Sequence, residues 1–79
     1  SDLGLSIYPN PSNGQFVINV LNGDLKEVEI LDNAGRTVKL ITSLTGVSHE
    51  VNLKGINKGL YFVKLTGDFG VTTREIIIE

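Results

Sequence analysis

The chain has 79 residues, 41% hydrophobic and 20% charged, which suits one folded domain: a disordered chain is less apolar, and a second core would leave too little buried surface in each. With no cysteine and one histidine, neither a disulfide framework nor a histidine-cysteine metal site supports the fold, and burial at roughly 25 cal/mol per Å² must offset the chain entropy. A net charge of −2 without any lysine or arginine run argues against nucleic acid as a partner, and the longest strictly apolar run, Ile76-Ile77-Ile78, is far too short for membrane insertion.

The absence of cysteine fits the reducing cytosol and an exported protein equally. Nothing at the start of the chain reads as a signal segment, and the first residue is Ser1. The expectation is a fragment or processed product with any export signal lying upstream.

Leu5-Ser6-Ile7-Tyr8 alternates large apolar and smaller residues and predicts a first strand, followed by the turn formers Pro9-Asn10-Pro11-Ser12-Asn13-Gly14. Residues 15–21 predict a second strand with Phe16, Ile18 and Val20 on one face and Gln15, Val17, Asn19 and Leu21 on the other. Asn22-Gly23-Asp24 reads as a hairpin signal into a third strand at 26–32, with Val28 and Ile30 inward. Asn33-Ala34-Gly35-Arg36 breaks the pattern, and a fourth strand at 37–42 follows with Val38 and Leu40 inward and Lys39 outward.

After a break at 43–46, Val47, His49, Val51 and Leu53 share one face of a fifth strand. Residues 54–59 are too few for an α-helix and predict a turn, or one 3₁₀ turn, that tucks Ile56 inward. A sixth strand at 60–66 opposes Tyr61, Val63 and Leu65 to Leu60, Phe62 and Lys64, and Gly67-Asp68-Phe69-Gly70 makes a hairpin into a seventh strand at 71–78. Seven short strands separated by glycine-bearing turns, with no helical period, point to an immunoglobulin-like sandwich or a small barrel, and an all-β, seven-stranded antiparallel immunoglobulin-like β-sandwich is the favoured reading. Residues 1–4 read as a linker remnant and 5–79 as the domain.

Catalytic equipment is not expected. His49 is the single imidazole, and its strand neighbours Ser48 and Glu50 point to the opposite face, so a nucleophilic triad fails on geometry. Asp24, Glu27, Glu29 and Asp32 crowd one region, where Glu27 and Glu29 share a face, but the spacing matches no calcium loop and a solvated, aggregation-resistant edge explains it better. Gly55 and Gly59 flank a turn with no following helix to receive a phosphate. The expectation is no catalytic, cofactor or metal residue, with Tyr8, Phe16, Tyr61, Phe62 and Phe69 read as packing residues.

The segments IYPNPSNGQFVI at 7–18, EILDNAGRTV at 29–38 and LKGINKGLYFVKL at 53–65, followed by a terminal REIIIE, together resemble the type A C-terminal sorting domain of type IX secretion. The resemblance covers nearly the whole chain, and its four pieces occur in the family's order. It implies a secretion signal that directs an upstream cargo, by way of the periplasm, through the outer-membrane translocon to the surface or medium of a Bacteroidetes-type cell. It implies type IX translocon components and a sortase-like cysteine protease as partners, the protease removing the tail while the cargo is released or joined to lipopolysaccharide.

The resemblance also marks candidate recognition residues: Pro9, Asn10, Pro11, Gly14, Gly35, Arg36, Gly59, Tyr61, Arg74, Glu75, Ile76, Ile77, Ile78 and Glu79. Each has a purely structural alternative, the prolines holding a turn, the glycines permitting positive φ, and Tyr61 packing in the core with its hydroxyl satisfied at the sheet margin. Glu75 stands where the family commonly has lysine. The last strand is expected to offer a free edge for pairing with a translocon component, with Val17, Leu21 and Ile41 as an outward apolar patch. A retained accessory module for adhesion or carbohydrate binding is the alternative function.

Overall fold

The computed structural model describes residues 4–79. Its seven strands are β1 (Leu5–Tyr8), β2 (Gln15–Val20), β3 (Leu25–Asp32), β4 (Thr37–Ile41), β5 (Ser48–Asn52), β6 (Gly59–Gly67) and β7 (Gly70–Ile78). They form a three-stranded sheet in the order β1-β2-β5 and a four-stranded sheet in the order β4-β3-β6-β7, every pairing antiparallel. The fold is the expected all-β sandwich. It departs from the immunoglobulin constant arrangement in that the fourth strand pairs with the third instead of lying beside the fifth.

The core follows from the period-2 alternation of five strands. Phe16, Ile18 and Val20 from β2 and Val51 from β5 meet Val28, Ile30, Tyr61, Val63, Leu65 and Ile76 from the opposite sheet, all buried. Ile56 packs against this cluster from its turn, as expected. Tyr61, near the start of β6, donates its hydroxyl to the Asn57 carbonyl at 2.6 Å, so its polar tip is satisfied where the ring enters the core. This is the tyrosine corner of immunoglobulin-like sandwiches.

β4 corrects the expected facing. Directly paired residues share a face, and Lys39 lies opposite Ile30 while Leu40 lies opposite Glu29. Lys39 is therefore on the inward side, where its Nζ donates to the Asn52 carbonyl at 3.2 Å and bridges the two sheets. Leu40 faces outward, 54% exposed, and Val38, unpaired at the register shift, is 44% exposed. A register shift beside Leu31 sets this parity, and the inward position tolerates lysine because β4 is an edge strand from which a charged head can reach solvent. Ile41 pairs with Val28 and is half-buried on the inner side, so Val17, Leu21 and Ile41 do not form one patch.

The 22–24 turn is a second correction: it carries the chain from one sheet to the other and is no hairpin. Asp68, in the β6–β7 hairpin, closes over it, its carboxylate accepting from the Asp24 N–H at 3.0 Å. Gly67 is demanded by this contact, because a Cβ there would sit 2.2 Å from the Asp24 carbonyl oxygen and 2.6 Å from the Phe69 ring. Gly67→Ala is expected to lower stability by about 1–3 kcal/mol in urea unfolding, the cost of forcing atoms into a filled space.

Candidate functional site

Tyr8 ends β1 in the three-stranded sheet, yet four residues later the chain touches the other sheet. Ser12 forms a parallel bridge with Ile78: its N–H donates to the Ile77 carbonyl at 2.8 Å, and its carbonyl accepts from the Glu79 N–H at 2.8 Å. Two residues earlier, Asn10 uses its side chain as a substitute for backbone. Its Nδ2 donates to the Glu75 carbonyl at 3.1 Å and its Oδ1 accepts from the Ile77 N–H at 3.0 Å. Pro9 and Pro11 lack N–H groups, so the local main chain is short of ladder donors, and the flanking amide, with one donor and one acceptor, supplies the pairing instead.

Ser12 is buried and locks the loop from within, its Oγ donating to the Gln15 carbonyl at 2.8 Å and accepting from the Gly14 N–H at 3.0 Å. Gly14, at φ 110°, turns the chain into β2, and its carbonyl accepts from Leu53 N at 2.7 Å. The outer edge of β7 from Glu75 to Glu79 is thus occupied. The expected free edge at the chain end is closed by the 10–12 segment, and the reason is pairing distant in sequence that no local pattern displays.

The other candidates fall at the same end of the four-stranded sheet. Asp32 lies opposite Tyr61, Tyr61 opposite Ile76, and Gly59 opposite Ile78. The 33–36 turn, the start of β6, the end of β7 and the 9–14 loop therefore form one band, four strand spacings or about 19 Å across. Within the band Ile76 and Ile78 are core residues, whereas Ile77 is 46% exposed on the outer face. Its outward neighbours are half-buried Leu60, directly opposite, and the Leu31–Phe62 pair, which sequence reading had not combined into a surface. Arg74 stands apart from the band: it lies opposite Val63 and its Nη1 donates to the Thr72 hydroxyl at 2.8 Å and the Thr73 carbonyl at 3.2 Å.

Arg36 is held at the rim by Asp32. One Asp32 oxygen accepts from the backbone N–H groups of Arg36 (2.9 Å) and Ala34 (3.0 Å), and the other accepts from Arg36 Nε at 3.0 Å. The Arg36 N–H, foremost, with the Ala34 N–H and the guanidinium, holds the Asp32 carboxyl below its ordinary value against some loss of solvation. A carboxyl lowered on folding adds stability above the unfolded value, about 3.9, and loses it as pH falls through the folded one. Asp32→Asn is expected to make the loss of stability below about pH 4 shallower in urea unfolding run across an acid pH series.

The carboxylates noted in the sequence do not converge. Glu29 accepts from the Thr37 hydroxyl, Asp32 holds its turn, and among the described residues no group of three or more acidic, histidine or cysteine side chains is placed to hold a metal. His49 is buried with Nε2 within 3.2 Å of the Gly46 carbonyl, while Ser48 and Glu50 are exposed on the other face. No helix among the described residues is long and apolar enough to cross a membrane.

The family model for the secretion system C-terminal sorting domain matches residues 6–79. The chain belongs to that family. Sorting domains of this kind are C-terminal signals for type IX secretion, a sorting rather than a catalytic role, and they mark proteins for the cell surface or the extracellular space. The sorting domain is also similar to beta-agarase A of Zobellia galactanivorans, 32% identical over 62 residues that cover 77% of this chain. It spans 11% of that relative's length.

Proposed function

We propose that residues 5–79 act as a folded address, and that the type IX apparatus reads the band at the closed end of the four-stranded sheet. The observation that carries this reading is convergence. The motifs that resemble the sorting tails are scattered through the sequence, yet the 9–14 loop, the Gly35–Arg36 turn, Gly59–Tyr61 and Glu75–Glu79 meet at one end of the fold. In this reading Asn10, Pro9, Pro11, Gly14, Gly35, Gly59, Tyr61, Ile76 and Ile78 shape the surface. Arg36, Glu75, Ile77 and Glu79 present it. Arg74 braces β7 from outside the band.

The cargo is an upstream domain of the same polypeptide, delivered through the periplasm to translocon components. A sortase-like cysteine protease then cuts before the folded unit. The test fuses the chain to an inert periplasmic reporter in a type IX-competent bacterium. The expected result is reporter at the surface or in the medium, with mass spectrometry showing residues 5–79 removed. Reporter confined to the periplasm overturns the reading, and exported reporter that keeps an intact tail favours a retained accessory module.

A further inference from the structure

The outer face of the three-stranded sheet adjoins the band only at Pro9 and has its own chemistry. Register places Tyr8, Val17 and Glu50 in one row across the three strands, with Gln15 and Asn52 paired one step along. Tyr8 is 48% exposed at the end of β1, and a groove lined by Pro9, Gln15, Val17, Glu50 and Asn52 runs beside it. Among the described residues, no intramolecular hydrogen bond holds the Tyr8 hydroxyl, the Gln15 amide or the Glu50 carboxylate; Asn52 Oδ1 accepts from Lys54 N and leaves its NH₂ outward. The groove therefore offers an apolar floor at Val17, two amides and one carboxylate, with no cation in its lining, and the exposed Tyr8 ring stands at its margin through the Tyr8–Val17 pair.

We propose that this groove binds an uncharged polysaccharide, with Tyr8 as its stacking platform. A sugar ring has an apolar C–H face that suits an aromatic plane, and its hydroxyls each donate and accept. That demands the mixed lining found here: Gln15 supplies both roles, the Asn52 NH₂ donates, Glu50 accepts, and Tyr8 can do either. A phosphate or sulfate polymer would face an unpaired carboxylate with no compensating cation. A concave site with a few convergent polar groups beside apolar surface is the general form of a small-molecule subsite. Three strand positions span about 10 Å, enough for more than one sugar unit to lie along the row.

The experiment is affinity electrophoresis of the full 79-residue chain in gels containing agarose, xylan or starch, with alginate as the charged control. Retardation by at least one neutral polymer is expected. It should weaken at least tenfold in Tyr8→Ala and severalfold in Gln15→Ala, and persist in Leu40→Ala, which alters an exposed residue of the other sheet; melting curves establish that each variant is folded. The chain has two tyrosines and no tryptophan, so a near-ultraviolet difference spectrum on adding the retarding sugar, present in the parent and absent in Tyr8→Ala, reports the stacking directly. Retardation by none of the neutral polymers, retardation by alginate alone, or equal retardation of Tyr8→Ala overturns the proposal.

Discussion

Deletion of residues 76–79 from the reporter fusion should abolish export, and the isolated domain carrying the same deletion should lose its cooperative unfolding transition. Ile76 and Ile78 are essentially fully buried, at 0% and 3% exposure, and the removed segment also carries the Ile77 and Glu79 backbone bonds to the 10–12 loop. Truncating a buried isoleucine costs about 2–5 kcal/mol. For a domain of this length total stability is about 4–12 kcal/mol, so losing two such residues together approaches the whole. The terminus therefore acts through the fold before it can act as an address. Ile77→Ser separates the two roles, since Ile77 points outward and its change should leave the melting temperature nearly unaltered. Export severalfold below the parent with an unchanged melt is the expected outcome; export at the parental level would remove the outward face of β7 from the recognition surface.

Asn10→Ala should cost about 1–2 kcal/mol, read as a fall in melting temperature on the order of 5–15 °C for a domain this small. It removes both side-chain bonds to β7 and leaves the Glu75 carbonyl and Ile77 N–H to water. Asn10→Asp is the sharper variant, because a carboxylate still accepts from Ile77 N–H but cannot donate to the Glu75 carbonyl. Its melting temperature should lie between those of the parent and Asn10→Ala. If Asn10→Ala melts like the parent, the loop does not hold the strand. Export should fall with Asn10→Ala even at temperatures where the variant is fully folded, since the band then lacks its fixed edge.

Much of this architecture was legible in the chain. The alternation in β2, β3 and β6 sorted Phe16, Ile18, Val20, Val28, Ile30, Tyr61, Val63 and Leu65 onto the buried faces because each strand has a period of two and one buried face, so a one-residue slip would expose the whole apolar set. In β5 the same reading held for His49, Val51 and Leu53 but not for exposed Val47. Tyr61 was readable as a core ring with a satisfied hydroxyl, and the structure gives that hydroxyl its acceptor at Asn57. β4 was misread because Val38 and Leu40 look like a buried face, whereas a register shift in the neighbouring pair and an edge position turn Lys39 inward. The 22–24 turn was misread because its residues specify a reversal of the chain and are silent about which strand receives the next one.

The amino-acid sequence by itself determined an all-β fold, the positions of its strands, most of the faces that build the core and the family to which it belongs. These depend on local chemistry: side-chain alternation, turn residues and ordered motifs. The tertiary structure alone decided that β2 and β3 lie in different sheets, that the outer edge of β7 is closed by Asn10 and Ser12, and that motifs as much as 67 residues apart share one surface. Those outcomes rest on pairing between segments far apart in the chain, set by which edges remain unsatisfied once the core has formed. No local pattern records that.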